Sequence, residues 1–382
     1  MTVRRSLITG AAALLVPAVV LAAAPVEVVK IGHVAATSGA VSYFGKDNEN
    51  GARMAVEELN RRGTKIAGKL VRFELVAEDD AADPKQATAA AQKLVDAKVN
   101  AVIGHETSGT TIPASKIYFD NGIPQISPSA TSPQYTAQGF NTAFRVVSND
   151  KQLGRALGHY AVAGMKAKRV AIVDDRTAYG QGVAVEFIKG LKEAGGTVVD
   201  KEFTTDKAAE FSAILTSIRA SKPDLVFFGG MSAVAGPMLH QMKGLGLGNV
   251  KFIGGDGICS DEIVKLAQGA ISDGQVVCAE AGGVPASGQA ALDQFRVDYK
   301  KRYGIDVQIY SPYTYDAVLA VADAMVKAGS SAPAKYLPLL AKGAYKGITG
   351  TIAFDQHGDI RNGTLTLYTF KGGKRTLVAV TK

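Results

Sequence analysis

Tryptophan is absent from this sequence, and only two cysteines and five histidines occur among its 382 residues. The histidines, at positions 33, 105, 159, 240 and 357, show none of the spacings typical of a metal site. The sequence also lacks the patterns G-x-x-x-x-G-K-[ST], H-E-x-x-H and G-x-S-x-G. Gly180 and Gly182 resemble the start of a dinucleotide fingerprint, but Val185 replaces its third glycine. We therefore expect no catalytic residue, no metal and no cofactor.

A concentrated basic surface is missing as well, although the formal net charge is +8. The densest basic runs, residues 300–302 and 371–375, are short and carry no interleaved aromatic residues. Nucleic-acid binding proteins gather their basic residues on one face, so we expect no nucleic-acid partner. The hydrophobic fraction of 47% and the charged fraction of 20% are those of a globular chain long enough for two cores.

Long apolar runs are confined to the N-terminus. Arg4 and Arg5 precede the apolar residues 7–24, which end in small residues. This order of charge, apolar run and small residues is typical of a secretory signal peptide, which we assign to residues 1–24. Cleavage after Ala22 and cleavage after Ala24 both remain open. No other apolar run reaches eighteen residues.

The remaining sequence alternates between strand and helix patterns. A strand is predicted at residues 26–34, then a long loop at 35–45, a helix at 48–60 and a strand at 70–77. Asp83 and Pro84 are typical of a helix N-cap and first helical position. A second alternating series runs from residue 153 to 253, and the C-terminal part combines late helices with strands. The pattern predicts an α/β fold with two lobes, each with a parallel sheet, and a chain that crosses between them more than once.

Residues 100–131 contain the clearest candidate site. Apolar runs at 101–103 and 123–126 predict two strands, with a helix at 113–120 that begins with Pro113. Each run is followed by a loop rich in serine and threonine, at residues 107–111 and 127–132. Both loops would reach the carboxyl edge of the sheet, where ligands bind in open α/β folds. Hydroxyls beside a helix N-terminus favour a small carboxylate, although ordinary polar connections would look the same.

Several short motifs in this order resemble one known family. They are Thr-Ser-Gly at 37–39, Asp-Pro-Lys-Gln-Ala at 83–87, Val-Ile-Gly-His at 102–105, Ile-Ser-Pro at 126–128 and Tyr-Gly at 179–180. The chain resembles the periplasmic substrate-binding proteins of branched-chain amino-acid ABC importers, over nearly all of its length after the signal. The resemblance implies two Rossmann-like lobes joined by three crossover strands, which close on ligand. We expect residues 25–148 with 281–352 in the N-terminal lobe, and 149–280 with 353–382 in the C-terminal lobe.

The resemblance also implies a function and a set of site residues. We expect a monomeric periplasmic protein that binds an amino acid, branched-chain or otherwise aliphatic, and delivers it to an ABC permease. Asp256 would pair with the ammonium group, unless it is only a turn residue, and Met231 replaces a tyrosine of leucine-binding members. The family positions that hold the head group of the ligand correspond to Ser108, Ser129 and Thr131. Phe44 corresponds to the aromatic residue over the pocket, and Tyr179 to a pocket tyrosine of the second lobe.

Three alternatives remain open at this stage. The same fold could bind an aromatic acid or amide, which Phe44 and Met231 would tolerate. It could also belong to a sensory receptor that reports ligand occupancy to a signalling protein. A cofactor-dependent enzyme is disfavoured by the missing motifs described above.

Cys259 and Cys278 are the only two cysteines. Export to an oxidising compartment permits a disulfide between them. A strand at 251–253, a short helix at 261–267 and a strand at 275–277 would return the chain beside its start. We expect the bridge on that basis, and two buried free thiols are the alternative.

Overall fold

A computed structural model describes residues 26–284 and 288–381 of the protein, so the predicted signal peptide lies outside the described residues. The strands are β1 (Glu27–Ala35), β2 (Lys65–Ile66), β3 (Lys69–Asp79), β4 (Ala101–Gly104), β5 (Gln125–Ser127), β6 (Ala143–Arg145), β7 (Arg169–Asp174), β8 (Thr197–Phe203), β9 (Leu225–Gly229), β10 (Lys251–Gly254), β11 (Val276–Glu280), β12 (Ala344–Gly347), β13 (Gly350–Ala353), β14 (Leu365–Lys371) and β15 (Lys374–Thr381). The helices are α1 (Ser42–Arg61), α2 (Pro84–Asp96), α3 (Ser108–Asp120), α4 (Gln134–Ala137), α5 (Asp150–Ala163), α6 (Ala178–Glu193), α7 (Ser212–Ser221), α8 (Ser232–Gly244), α9 (Glu262–Leu266), α10 (Gln289–Tyr303), α11 (Ser311–Ala328) and α12 (Pro333–Lys342).

Two large sheets organise these elements, as the alternating pattern predicted. The first has six strands in the order β2-β3-β1-β4-β5-β6, and all its pairings are parallel except β2 with β3. The second has seven strands in the order β15-β14-β11-β10-β9-β7-β8, with β14 and β15 antiparallel at one edge. The chain passes from the first sheet to the second after β6, returns after β11 to pack α11 against α1, and re-enters the second sheet at β14. The α/β class is thereby confirmed, and the lobe boundaries stay a prediction.

Helix α1 begins earlier than the sequence predicted. The loop expected at residues 35–45 is wrong in its second half, because the helix starts at Ser42. Gly45 and Gly51 disfavour a helix by propensity, yet each is needed for close packing. A Cβ on Gly45 would lie 2.0 Å from the carbonyl oxygen of Ala36, and one on Gly51 would lie 2.2 Å from that of Ser311. The early start places Phe44 on a rigid, buried helical turn.

Helix α3 also begins before the predicted residue. The sequence placed Pro113 in its first turn, but the helix starts at Ser108 and contains Pro113. Thr107 is the N-cap, with extended φ and ψ of −88° and 152°. Hydroxyl-rich residues that looked like a loop therefore form the first helical turn. The prediction for α2 is confirmed, since Asp83 caps that helix by accepting from the N–H groups of its first turn.

Arg145 at the end of β6 braces the loop that follows β5. Its side chain is fully buried and pairs with Asp359, with 2.6 Å between Nε and Oδ1. The same guanidinium donates to the carbonyl oxygens of Ala130 and Ser132, at 2.8 and 2.9 Å. A buried charge needs such compensation, so the loop and the turn at 355–359 are held as one unit.

Cys259 and Cys278 are joined by a disulfide whose Cα atoms lie 5.2 Å apart. The pairing arises because β10 and β11 are parallel neighbours, with Gly254 opposite Cys278 in the register. Helix α9 makes the return between them, as the strand–helix–strand pattern suggested. The bridge therefore fastens the turn after β10, which carries Asp256, to the neighbouring strand. Among residues 26–284 and 288–381, no helix is both long and apolar enough to cross a bilayer.

We expect thiol titration to find no free thiol in the denatured protein when it is purified without reductant. Replacing both cysteines by serine should lower the free energy of unfolding by about 3 kcal/mol, since the bridge spans 19 residues. Wild-type protein unfolded in reductant is the control for the double variant. Two free thiols per chain in the protein purified without reductant would show that the bridge does not form.

Candidate functional site

A small cavity lies between the carboxyl edges of the two sheets. The space that water can occupy within it is only about 10 Å³. Its walls come from α1, the β4–α3 connection with the start of α3, the loop after β5, α6, the β9–α8 connection, the turn after β10 and the residue before α11. The lining residues are Phe44, Glu106, Thr107, Ser108, Ser129, Tyr179, Met231, Asp256, Gly257 and Tyr310. Six of the seven predicted site residues are therefore brought together, and Thr131 is not among the lining residues.

The hydroxyl of Ser108 is placed to donate into this cavity. Its oxygen accepts a hydrogen bond from the N–H of Ser132 at 3.1 Å, so its own proton remains available. Ser108 is also the first residue of α3, where N–H groups have no partner within the helix. Together these donors form a site suited to a carboxylate.

The other two predicted hydroxyls are placed differently. The hydroxyl of Ser129 donates to the carbonyl oxygen of Glu106 at 2.8 Å, which joins the two loops. Thr131 is buried beside the cavity, and its carbonyl oxygen accepts from the N–H of Asp150 at 2.9 Å. Its hydroxyl has no hydrogen-bond partner in the part of the chain that the structure describes. Ser108 is thus the hydroxyl with the geometry for a direct ligand contact.

Asp256 presents a buried carboxylate on the opposite wall. Tyr179 donates to its Oδ1 and Tyr310 to its Oδ2, each at 2.8 Å. Burial raises the pKa of this carboxyl to about 6, and the two tyrosine donors limit the rise because they stabilise the ionised form. The alternative role as a turn residue also holds for the backbone, since Asp256 begins a short 3₁₀ turn. The side chain nevertheless faces the cavity.

Tyr310 reaches Asp256 from the side of the first sheet. Its N–H donates to Asp47 Oδ2 at 2.8 Å, and Asp47 lies on α1. Its ring packs against Phe44 with the centroids 5.3 Å apart. Sequence reasoning missed this residue because nothing near position 310 distinguishes it from other residues that precede a helix. The hydrogen bond from Tyr310 to Asp256 therefore joins the two sides of the cavity.

Glu106 was also missed as a site residue. It is only 4% exposed, and its Oε2 accepts from the N–H of Ala36 at 3.1 Å. Within the described residues its Oε1 has no hydrogen-bond partner. Burial raises the pKa of this carboxyl well above its usual range, and the charge of Asp80 raises it further. Its place between β4 and the predicted loop at 107–111 was the available signal.

A buried network behind the cavity fixes the two strand ends. His105 contacts Asp80 through Nδ1 at 2.7 Å and Tyr118 through Nε2 at 3.0 Å. The hydroxyls of Thr111 and Ser127 donate to the carbonyl oxygen of His105 at 3.0 and 2.9 Å. These contacts lock the connections after β4 and β5 together. In the chain from 26 to 284 and from 288 to 381, no cluster of His, Cys, Asp or Glu has the geometry of a metal site.

The comparison with known families agrees with this architecture. A family model described as "Periplasmic binding protein" matches residues 28–374. The chain belongs to the periplasmic binding protein family. All ten residues that line the cavity lie within the matched range.

Individual members of the periplasmic binding protein family are similar over most of their length. The protein named Leu/Ile/Val-binding protein homolog 1 of Brucella abortus is 34% identical over 337 residues, 88% of each chain. A Pseudomonas aeruginosa protein named for binding leucine, isoleucine, valine, threonine and alanine is 33% identical over 353 residues, 92% of each chain. The crystal structure of a leucine-binding protein from Thermotoga maritima superposes with a TM-score of 0.85 at 27% identity, covering 92% of this chain and 98% of the other.

Removing a tyrosine donor should raise the pKa of Asp256. We expect this carboxyl to titrate near pH 6 in the ligand-free protein and at higher pH in Tyr310→Phe, because the lost donor favoured the ionised form. Carbon-13 NMR of labelled aspartate carboxyls across a pH series would measure both values. Tyr299→Phe is the matched control, since Tyr299 is equally buried but bonds to Asn50. An equal pKa in all three proteins would contradict the contact.

Proposed function

We propose that the protein captures an amino acid in the periplasm by its α-carboxylate and α-ammonium groups and delivers it to an ABC permease. The observation that carries this proposal is the placement of Ser108, at the start of α3, and of Asp256 on one small cavity. Hydroxyl and N–H donors on one wall complement a carboxylate. A carboxylate on the other wall complements an ammonium group.

The names of the similar proteins support an amino-acid ligand. Two of them are named for binding branched-chain amino acids, and one of these is also named for threonine and alanine. The expectation of an aliphatic ligand for this chain rests on that likeness. An aromatic acid without an amine is less suited, because it would leave Asp256 without an ammonium partner in a buried cavity.

The remaining parts of the proposal concern export, partners and motion. The sequence of residues 1–24 supports export, and the family supports a substrate-binding role without catalysis. We infer a monomer that closes on its ligand, since Tyr310 and Tyr179 approach Asp256 from opposite sides of the cavity. A ligand that contacts both sides would favour such a closed form. A sensory role with the same ligand would differ in the membrane partner alone.

Ser108→Ala should weaken binding by roughly tenfold or more, because a donor to a buried charged group contributes about 1.5–3 kcal/mol. A thermal-shift screen of the twenty amino acids identifies the ligand, and titration calorimetry gives its dissociation constant. Ser115→Ala on the same helix is the control, since the buried Ser115 hydroxyl donates to Ile112 within the helix. If both variants bind equally well, the carboxylate does not lie at Ser108.

The affinity for the amino acid should fall as the pH is lowered from 7 to 5. Asp256 takes up a proton with a pKa of about 6, and a neutral carboxyl no longer attracts an ammonium group. Calorimetry at several pH values should show this loss for the amino acid and much less for the same molecule without its amine.

Asp256→Asn provides the second half of that test. It should weaken the amino acid at least tenfold more than the amine-free analogue and should flatten the pH dependence. Equal losses for both ligands would remove Asp256 from the ammonium contact.

A further inference from the structure

Glu106 has an unused hydrogen-bonding atom at the centre of the site. Its side chain lines the cavity, is 96% removed from solvent and has an Oε1 with no partner within the described residues. Its Oε2 is held by the N–H of Ala36, which fixes the direction of the carboxyl group. A buried polar atom without a partner is costly, and native structures rarely leave one without a role.

The protein donors around the cavity are already committed. Tyr179 and Tyr310 donate to Asp256, and the hydroxyl of Ser129 donates to the backbone of Glu106 itself. Ser108 lies at the start of α3, where the carboxylate of the proposed ligand would bind. No lysine, arginine or histidine is among the lining residues. A molecule that fills the cavity can therefore supply the partner of Glu106 Oε1.

The position of Glu106 limits the length of that molecule. An outer groove of about 560 Å³ adjoins the cavity and shares Thr107, Tyr179 and Met231 with it. Glu106 lines the inner cavity and is not among the residues of the groove. A group that reaches Oε1 therefore lies in the inner cavity together with the head group, and the small free space of that cavity favours a short side chain.

We propose that Glu106 is a specificity-determining residue that selects amino acids with a short hydroxyl or carboxamide side chain, an inference that rests on the function proposed above. A hydroxyl or a carboxamide can both donate and accept, so it satisfies Oε1 whether the carboxyl is ionised or neutral. An aliphatic side chain leaves Oε1 unpaired in the closed cavity. The aliphatic ligand expected from the family resemblance is therefore not the one that this cavity fits best.

Threonine and valine provide the sharpest comparison, because they have nearly the same shape and differ in one hydroxyl group. We expect calorimetry on the wild-type protein to show threonine binding at least tenfold more tightly than valine. Asparagine and leucine form a second pair with the same expected order. Lysine tests the competing possibility of a cationic side chain and should bind more weakly than threonine.

Substitution of Glu106 should change the preference and not only the affinity. Glu106→Leu should lower the ratio of the threonine affinity to the valine affinity at least tenfold. Glu106→Gln should keep this ratio within about threefold of the wild-type value, because the amide can still form a hydrogen bond with the ligand side chain. Glu280→Gln is the control, since Glu280 is also a buried glutamate but lies outside the cavity and is held by Tyr313 and Arg375. It should leave the ratio unchanged.

The outcomes separate this inference from the function on which it rests. Tight leucine and valine binding with no preference for threonine, unchanged in the Glu106 variants, would overturn the role of Glu106 and leave an amino-acid binding protein. If lysine bound most tightly, the inference that the preferred ligand has an uncharged side chain would be wrong. Binding of no amino acid would refute the proposed function together with this inference. If Glu106→Leu does not fold, the wild-type pairs and Glu106→Gln still decide.

Discussion

The site depends on one arrangement, the Asp256 carboxylate held between the hydroxyls of Tyr179 and Tyr310. A buried carboxylate without a cation is unfavourable unless donors surround it. The two donors come from opposite sides of the cavity, and Tyr310 is itself anchored through Asp47. The two hydrogen bonds to the carboxyl group of Asp256 therefore connect the two sides of the cavity. They also stabilise its negative charge, which can then bind a ligand ammonium group.

The opposite wall depends on buried contacts that fix two strand ends. The pair of His105 and Asp80, with hydroxyls donating to the carbonyl oxygen of His105, locks the connections after β4 and β5. Arg145 fixes the next part of the same loop by binding its carbonyl oxygens and Asp359. Such networks contribute little net stability compared with apolar packing, but they hold backbone groups in one place. A site that aims N–H and O–H groups at a ligand requires that rigidity.

The sequence was sufficient for the features that local patterns determine. Alternating strands and helices predicted the parallel sheets, and Asp83 predicted the start of α2. The first turns of α1 and α3 could not be predicted, because Gly45 makes a tertiary contact and Pro113 was treated as a start signal. The site residues that the sequence analysis did not identify were missed for the same reason. Tyr310 reaches a cavity built mostly by residues before position 260, a contact that only the folded chain brings about.

The edge strand β15 and helix α12 were likewise absent from the sequence-based prediction. Strand β15 begins with Lys374, and none of its eight positions is fully buried, so its apolar periodicity is weak. Its pairing with β14 determines its structure more than its composition does. Helix α12 contains Pro338, which a reading based on propensity treats as a break.

The two carboxyl groups of the cavity differ in a way that suggests different partners. Asp256 accepts two side-chain hydrogen bonds, and these donors hold its pKa to about 6 despite complete burial. Glu106 accepts one backbone hydrogen bond and lies near Asp80, so its pKa is raised well above the usual range. Near neutral pH the carboxyl of Asp256 is mostly ionised and can balance a positive charge, whereas burial and the nearby charge of Asp80 disfavour a charge on Glu106. A zwitterionic head group with an uncharged polar side chain matches this difference, because it brings a positive charge to Asp256 and a group that can both donate and accept to Glu106.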